Sequence, residues 1–407
     1  MGARPSVLRA QDTTRATSPD SLAERLRRAE EAIELLRRQL ETQAASTVQS
    51  ATRVRVEIFG RVLMNAFSNS SRVNNADVPS FTQRGGGRGG LGATIRQTSV
   101  GVAVTVPRVL GGGFAGDLHM DFFGGQQPGS GSRHLPIMRV RTARGIVRWS
   151  RAELLFGQDA PLMAGLNPVS IASFGSPDFA AAGNLWLWLP QVRFTGELGT
   201  PLKLAVQGAL LAPTSSEPAG SFDTDTDIDI AERSRRPYVQ ARVRARWGAE
   251  DAPGEIGIGA HKGWLRRGDG SNVSSDGVAI DARIPLGGAV ELRGEAYTGQ
   301  ALRGLGGAGI GQLFTTDSAA VYDRGGWAQI VVRASPLLEL GAGCGVADPR
   351  DRNLPAQRLE NAGCEAHTIV RPGGPMIAGL TYRTQRTTFP EGKVRNHHVN
   401  LAVGFEF

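Results

Sequence analysis

The residues best suited to chemistry in this 407-residue chain are basic side chains at every second position of apolar stretches. Arg242, Arg244 and Arg246 alternate with apolar residues, so in a β-strand all three project from one face. A guanidinium group binds a carboxylate or phosphate through two parallel hydrogen bonds, and several beside water attract anions. Neighbouring predicted strands have further basic residues on the face that corresponds to this one: Arg139, Arg141, Arg151, Arg193 and Lys203. The sequence therefore predicts a basic wall; the alternative is a solvated face neutralised by Glu153 and Glu197.

Other groups that could do chemistry give weaker signals. Gly304, Gly306 and Gly309 have the spacing of a dinucleotide fingerprint, but no helical pattern follows them. Asp223–Asp229 has alternating carboxylates that could hold calcium, although an acidic loop without an ion is the simpler interpretation. Six histidines and scattered serines show no Ser-His-Asp spacing. We therefore expect no catalytic residues, no metal site, no cofactor and no enzymatic activity.

The composition favours a β-protein over other classes. Glycine accounts for 54 of the 407 residues, close to twice the usual share of about 7%, which suits many turns and bends. The net charge of +8 can indicate nucleic-acid binding. Here the arginines are scattered along predicted strands instead of collected in a tail or basic helix, so we expect no nucleic-acid partner. No run approaches the roughly 18 apolar residues of a membrane helix.

Period-two alternation predicts sixteen strands from Thr52 to the end of the chain. Their predicted bounds are 52–67, 92–106, 113–124, 137–149, 151–158, 186–199, 201–213, 237–248, 254–264, 276–286, 288–299, 325–335, 336–347, 364–371, 375–388 and 396–407. Tight turns follow most even-numbered strands, and long loops follow most odd-numbered ones. This asymmetry is typical of bacterial outer-membrane barrels, and a soluble sandwich has no reason to keep it.

The two faces of the predicted strands differ in polarity as a water-filled barrel requires. Glu291, Arg293 and Glu295 share one face of strand 11, and a packed soluble core would not accept such an ionic face. Sixteen strands enclose a water-filled channel. The chain ends on Phe407, with Phe405 on the same apolar face, which resembles the terminal strand of outer-membrane barrels. Four tryptophans near predicted strand ends take the outward phase, as an aromatic girdle would: Trp186, Trp188, Trp247 and Trp264.

The N-terminal part of the chain follows a helical period instead. Ser21 and Glu24 have the form of a capping box, and a heptad seam over about three repeats follows. The seam consists of Leu22, Leu26, Ala29, Ile33, Leu36 and Leu40. We interpret it as a short coiled coil that joins protomers; the alternative is one amphipathic helix lying on the barrel. The predicted domains are a disordered N-terminus (1–20) without a complete signal peptide, a coiled-coil helix (21–46) and a transmembrane β-barrel (52–407).

The two cysteines, Cys344 and Cys364, both take the outward phase and flank the predicted outer loop between strands 13 and 14. Antiparallel pairing of these strands could bring them opposite each other, where Cα atoms are about 4.5–5.5 Å apart. We expect a disulfide bond, which an oxidising compartment permits. The alternative is two small apolar residues, because a one-residue slip in register would separate the sulfurs.

Sixteen strands, a C-terminal Phe407 and a long loop after strand 5 resemble the general trimeric porins. The heptad helix ahead of strand 1 is more narrowly similar to the DcaP-like porins, which have an N-terminal coiled coil. The resemblance covers Ser21–Phe407. It implies a trimer of water-filled pores for small solutes, in this branch often anionic ones such as dicarboxylates.

The resemblance also implies a role for the loop after strand 5, which in these porins folds into the barrel and narrows it. Here that loop is Asp159–Leu185, which is far longer than a normal connection and too apolar for a loop wholly in water. The residues expected to form the constriction are Asp159, Met163, Leu166, Ile171, Phe174 and Asp178, and the apolar ones among them should be buried. The alternative is an ordinary surface loop.

These observations predict an all-β, sixteen-stranded antiparallel transmembrane barrel with a short N-terminal coiled coil, placed in the bacterial outer membrane with its helix in the periplasm. We expect passive diffusion of small hydrophilic solutes, favouring anions such as dicarboxylates or phosphate. The expected partners are further copies in a homotrimer, outer-membrane lipid and lipopolysaccharide, the barrel-insertion machinery acting on Phe407, and small anionic solutes. Two alternatives stay open: a structural or adhesive barrel with a plugged lumen, and an outer-membrane hydrolase.

Overall fold

A computed structural model describes residues 54–125, 136–216, 228–249 and 253–407, together with Thr47–Gln49 and the helical residues Arg27, Glu30 and Glu34. The predicted heptad seam lies outside the described residues: Leu22, Leu26, Ala29, Ile33, Leu36 and Leu40. So do Asp223, Asp225 and Asp227 of the acidic run. Among the described residues, no helix has the length and apolar character needed to span a membrane.

Within the described part of the chain, sixteen antiparallel strands form one closed barrel, and a short further strand, Thr47–Gln49, pairs with the start of the first of them. Each strand pairs with the next along the chain, and the last pairs with the first, where Val403 lies opposite Met64. The strands are β1 Arg55–Asn69, β2 in two segments (Leu91–Thr94 and Ser99–Val109), β3 Gly112–Asp121, β4 Arg139–Arg148, β5 Ala152–Asp159, β6 Leu189–Leu198, β7 Lys203–Leu211, β8 Tyr238–Trp247, β9 Gly254–Arg266, β10 Asn272–Leu286, β11 Val290–Gln300, β12 Tyr322–Ser335, β13 Leu338–Ala347, β14 Glu360–Gly373, β15 Met376–Phe389 and β16 Gly392–Glu406. The predicted all-β fold, a closed barrel of sixteen antiparallel strands, is confirmed.

Alternating residue types place one face of each strand outside the barrel and the other inside. On β16, Leu401 and Val403 are exposed on the outer face, whereas Asn400 is fully buried inside. The terminal Phe407 continues the ladder, because its backbone N–H and C=O both pair with Gly60 of β1. Closure in this way leaves no free edge, so every strand has partners on both sides.

A β-bulge interrupts the pairing of β3 with β4. The partners of His119 and Met120 skip Arg141, which is therefore the extra residue. In the sequence the alternation of basic residues shifts by one position between Arg141 and Arg144, which predicts a bulge near Ala143–Gly145. The structure has the bulge slightly earlier, at Arg141. The bulge re-aims the strand, so arginines on both sides of it point into the barrel.

The two rims of the barrel differ in their connections. The short-turn rim has the connections 110–111, 149–151, 199–202, 248–253, 287–289, 336–337 and 374–375. The long-loop rim has 70–90, 122–138, 160–188, 212–237, 301–321 and 348–359, with two short connections at 267–271 and 390–391. Among the described residues the long loops contain three short 3-10 helices: Glu232–Ser234, Leu302–Leu305 and Ala308–Gly311.

Two long connections pack together inside the barrel. Leu162, Met163 and Leu185 from connection 160–188 meet Leu302 and Leu305 from connection 301–321, and all five are fully buried. Toward the short-turn rim the interior is ionic instead. The barrel therefore has an apolar filling at one end of its lumen and a charged lining at the other.

A disulfide bond joins β13 to β14. Cys344 and Cys364 lie directly opposite each other, with 4.0 Å between their Cα atoms. Both residues are exposed on the outer face of the barrel. The bond therefore ties two strands that already share a ladder, close to the long-loop rim.

Candidate channel

Connection 160–188, called the inner loop below, lies inside the barrel. Amide side chains from three walls accept hydrogen bonds from its backbone N–H groups: Gln240 of β8 from Met163 (2.9 Å), Gln329 of β12 from Val169 (2.8 Å), and Gln97, between the segments of β2, from Gly175 (2.7 Å). Because these walls lie on different sides of the barrel, the inner loop extends across the lumen. An ordinary surface loop would not make these contacts.

The six residues predicted for the constriction occupy different environments. Met163 is fully buried in the apolar cluster described above, and Ile171 is buried in a second one with Leu63 of β1. Leu166 and Phe174 are half-buried, so the prediction that these two are buried is wrong. Asp159, at the end of β5, and Asp178, in the inner loop, are buried carboxylates.

Asp178 ties the inner loop to β15. Its Oδ1 lies 2.6 Å from Arg383 Nη2, and both side chains are buried. Burial raises the pKa of the Asp178 carboxyl above its ordinary value, and the Arg383 guanidinium opposes that rise. Arg383 also donates a hydrogen bond of 2.5 Å to Ser173 Oγ. Removing one partner of a buried ion pair typically costs about 3–5 kcal/mol, so this contact anchors the loop strongly.

Phe174 of the inner loop lies between two arginines of the barrel wall. The Cζ atoms of Arg141 and Arg61 are 3.7 Å and 4.6 Å from its ring centroid. The ring centroid of His119 is 5.4 Å away. Cation–π contacts contribute from about 0.5 to 2 kcal/mol each, which explains why this aromatic side chain stays beside the polar wall. Alternation along β1 and β3 places Arg61 and His119 on the inward faces of these strands. The sequence gives no other indication that they contact the inner loop.

Two tryptophans of the inner loop point into the barrel. Arg141 Cζ lies 4.6 Å from the Trp188 ring centroid, and Trp186 donates a hydrogen bond of 3.3 Å to the carbonyl of Ala180. The predicted girdle role is wrong for both, because β6 begins at Leu189 and these residues belong to the loop.

Three predicted wall residues of β8 project into the lumen, and all three have carboxylate partners: Arg242, Arg244 and Arg246. Arg242 Nη2 lies 2.6 Å from both Glu255 and Asp281. The other two lie 3.3 Å and 3.4 Å from Glu197. Three arginines thus face three carboxylates, and the charges of these six side chains balance.

Four more arginines, called the second arginine group below, come from β4 and β6: Arg139, Arg141, Arg144 and Arg193. Asp121 lies 2.9 Å from Arg139 and 3.7 Å from Arg141. Arg144 pairs with Asp117 (2.7 Å) and Asp159 (2.7 Å), and Asp159 also pairs with Arg193 (2.5 Å). Among the described residues, four arginines therefore share three aspartates, which leaves one positive charge in excess.

The remaining predicted wall residues are Arg151 and Lys203. Arg151 is exposed in the turn between β4 and β5 at the short-turn rim, so its placement on the wall is wrong. The turn occupies 149–151, and the strand begins one residue later than predicted. Lys203 is half-buried at the start of β7, opposite Arg246, so it lies on the inward face as predicted.

Arginines on more than one wall of the lumen are half-buried, among them the second arginine group and Arg244 and Arg246 of β8. In contrast, Arg383 of β15 and His367 of β14 are buried. Solvent in the lumen therefore reaches guanidinium groups, which suit carboxylate and phosphate ligands.

No protein-family model matches the sequence, and the comparison with curated proteins found no match. Solved structures do match. The outer membrane channel DcaP of Acinetobacter baumannii aligns with a TM-score of 0.67 and 17% identity, over 89% of this chain and 100% of that chain. The anion-selective porin from Comamonas acidovorans aligns with a TM-score of 0.54 and 12% identity, over 87% and 100%. OprB of Pseudomonas putida aligns with a TM-score of 0.53 and 9% identity, over 86% and 94%. The chain therefore has the closed β-barrel fold of these proteins.

Proposed function

We propose that this protein is a porin, a passive diffusion channel of the bacterial outer membrane for small hydrophilic solutes. Its outer face is apolar and its inner face is ionic, as lipid outside and water inside require. The observation that carries the proposal is the inner loop, which three glutamine side chains hold across the lumen beside half-buried arginines. A lumen narrowed in this way selects solutes by size. Two of the matched structures are described as an outer membrane channel and a porin, which supports the same function.

The channel favours anions such as dicarboxylates or phosphate. This part of the proposal rests on the second arginine group, whose four guanidinium groups exceed their aspartate partners by one. Excess positive charge beside a narrow passage raises the local concentration of anions. The porin from Comamonas acidovorans is described as anion-selective, which supports this direction.

The proposed assembly is a homotrimer whose N-terminal coiled coil lies in the periplasm. The chain enters β1 at the short-turn rim, so that rim faces the periplasm and the long loops face outward. Phe407 is exposed at the same rim, where the barrel-insertion machinery would contact it.

Two rival functions remain in view. Apolar packing of the two long connections inside the barrel favours a plugged structural or adhesive barrel. For a hydrolase, His261 lies 3.0 Å from Ser275 Oγ, but its other ring nitrogen contacts Gln240, an amide. The pair therefore lacks the carboxylate that orients the histidine of a catalytic triad.

Recording single channels in planar lipid bilayers tests the proposal. A porin gives stable ohmic steps, in groups of three for a trimer, and a reversal potential in a KCl gradient that indicates anion preference. Protein heated to unfold the barrel before reconstitution is the control and should give no steps. Folded protein without conductance would contradict the proposal and favour the plugged barrel.

A further inference from the structure

Four ionisable side chains, called the buried charge cluster below, meet where the inner loop contacts β14 and β15: Asp178, Glu365, His367 and Arg383. Glu365 lies opposite Arg383 in the ladder between these strands, and Arg383 Nη2 is 2.6 Å from Asp178 Oδ1. His367 Nδ1 is 3.0 Å from Glu365 Oε2. Each of the four residues is 4% exposed, so solvent screens their charges little.

The charges of this cluster do not balance while His367 is neutral. Asp178 and Glu365 then carry two negative charges against the one positive charge of Arg383. An uncompensated charge in a buried position costs free energy, because neither water nor a partner offsets its lost hydration. A proton on His367 balances the four side chains, and histidine is the residue type that takes up a proton near neutral pH.

On the side of β13, the surroundings of His367 are electronegative. Its Nε2 atom lies over Gly341 and has no hydrogen-bond partner among the described residues. Glu339 is the next inward residue of this strand, and its Oε1 atom also lacks a partner in the described part of the chain. Glu339 Oε2 is 3.5 Å from the exposed Arg333. A proton on Nε2 of His367 therefore faces a strand whose charged residue is a carboxylate.

The histidine on the other side of Arg383 is a poorer acceptor for the proton. His398 of β16 lies opposite Arg383 in the ladder, and its Nδ1 is 3.0 Å from the amide oxygen of Asn69. A proton on His398 would face a like charge and would have an amide in place of a carboxylate as its partner. Of the two histidines, His367 is therefore the one whose protonation relieves the charge imbalance.

The buried charge cluster connects to the inner loop at two points. Asp178 belongs to the loop and pairs with Arg383. Gln329 Nε2 donates hydrogen bonds to Glu365 Oε1 (2.8 Å) and to the Val169 carbonyl (3.0 Å), so one amide links Glu365 to the loop backbone. Burial raises the pKa of the Asp178 carboxyl, and Arg383 and a protonated His367 both oppose that rise. A proton on His367 thus favours the ionised Asp178 that holds the loop.

We propose that the buried charge cluster is a pH-sensitive anchor, in which a proton on His367 holds the inner loop against β14 and β15. When the loop leaves this wall, water reaches His367 and the charge balance no longer requires its proton. The anchored state therefore binds the proton more tightly, so anchoring strengthens as the pH falls and weakens as it rises, between about pH 5 and pH 8. The consequence for passage through the lumen rests on the channel function proposed above.

Electron paramagnetic resonance of the full-length protein in detergent tests the anchor. A nitroxide label on Leu166→Cys reports the mobility of the inner loop three residues from Val169, and the two native cysteines do not react because they are bonded to each other. In this otherwise wild-type protein we expect the mobile fraction of the label to rise about threefold or more from the lower to the higher pH. The noise of the open-channel current in bilayers should rise over the same range.

Two variants fix the charge of the cluster. His367→Gln keeps the excess negative charge at every pH, so its label should always be as mobile as that of wild type at the higher pH. Glu365→Gln removes the excess charge, and its amide oxygen still accepts from Gln329, so its label should always be as immobile as that of wild type at the lower pH. His397→Gln is the matched control, because His397 is exposed on the outer face of β16, and it should keep the wild-type response.

A wild-type label whose mobility does not change with pH would overturn the proposal, as would a full pH response in His367→Gln or a lost response in His397→Gln. A label that is mobile at every pH in both cluster variants would overturn it too, because the cluster would then be a structural contact that does not titrate. If His367→Gln fails to form a heat-modifiable barrel on gels, Glu365→Gln decides, since a retained pH response there contradicts the charge argument.

The resonance measurement does not depend on conductance, so it separates the anchor from the channel. A pH-independent label in a protein that conducts overturns the anchor alone. A label that follows the predicted pH response in a protein that does not conduct overturns the channel function alone.

Discussion

Arg141 is the arginine beside the inner loop whose charge is least compensated. Its carboxylate neighbour Asp121 is 3.7 Å away and already pairs with Arg139 at 2.9 Å. Its Nη1 atom is buried without a hydrogen-bond partner. The Arg141 side chain is 12% exposed, so its weakly compensated charge still attracts anions in the lumen, and we expect Arg141 to affect anion preference more than any single arginine of β8.

Arg141→Gln should lower the ratio of anion to cation permeability by roughly two- to fivefold, because it removes the excess charge of the second arginine group. The reversal potential in a KCl gradient measures this ratio. Arg148→Gln is the control, since Arg148 is exposed and pairs with Glu153 at 2.8 Å near the short-turn rim. An equal shift in both variants would argue against a specific role for Arg141.

The three arginines of β8 act through the carboxylates that they neutralise. Replacing Arg242, Arg244 and Arg246 together with Gln should move the reversal potential toward cations, because three carboxylates lose their partners. Adding E197Q, E255Q and D281N to this variant should return the potential toward the wild-type value. An unchanged potential in the triple variant would remove this wall from the account of selectivity.

At the scale of elements, the inner loop is a connection held in place by polar contacts to the strands that surround it. Its backbone depends on glutamine side chains of separate walls, and its far part depends on the pair of Asp178 with Arg383. A loop held at several separate points keeps the passage at a constant width, because no single contact acts as a hinge.

Asp178→Asn should loosen the inner loop, because Arg383 then loses its carboxylate partner at 2.6 Å, and breaking a buried ion pair typically costs about 3–5 kcal/mol. We expect noisier open-channel current and a lower temperature of barrel unfolding on semi-native gels. Asp317→Asn is the control, because Asp317 is an exposed carboxylate in connection 301–321 at the same rim. Quiet, wild-type-like currents from the Asp178 variant would show that other contacts suffice to hold the loop.

The disulfide between β13 and β14 closes a segment with a sequence separation of 20 residues. By the chain-entropy argument a loop of this length contributes about 3 kcal/mol, and less here because the ladder already joins the two strands. The variant C344A/C364A should therefore form the barrel but unfold at a lower temperature than the oxidised wild type. Mass spectrometry of a non-reduced digest checks the bond itself; free, alkylatable cysteines would contradict it.

At the scale of the whole molecule, barrel closure sets which residues lie on the apolar outer face and which line the lumen. Every strand has partners on both sides, so the outer face has no unpaired backbone that would bar it from a bilayer. In the proposed channel, the ionic lining and the inner loop would then determine passage through the lumen. The proposed coiled coil of the N-terminal heptads would join protomers, and it would need contacts between the barrels to persist because three heptads are marginal alone.

Deleting residues 1–50 should leave a folded barrel whose trimer dissociates at a lower temperature than the wild-type trimer. Semi-native gels with stepwise heating measure this, and the heat-modifiable monomer band shows that the barrel itself is intact. A truncated protein that forms an equally heat-stable trimer would assign the heptads another role.

The sequence alone determined the barrel and the direction of its side chains. Alternation in a strand is a local property, so the outward phase of Leu401 and Val403 follows from the residue types of β16 alone. The disulfide also followed from local signals, because a hairpin of two strands pairs residues that flank its loop. The parity of short and long connections then indicated which side of the membrane each rim would face.

Tertiary structure decided which inward residues meet. The contact of Phe174 with Arg61 and Arg141 depends on the path of a long loop and on strands that closure brings together from opposite ends of the chain. The neutralisation of Arg242 by Asp281 depends in the same way on the register of three strands. Alternation along one strand predicts the face on which a charged side chain lies. The ion-pair partner of that side chain depends on distances between strands and across the lumen, and no local sequence pattern encodes those distances.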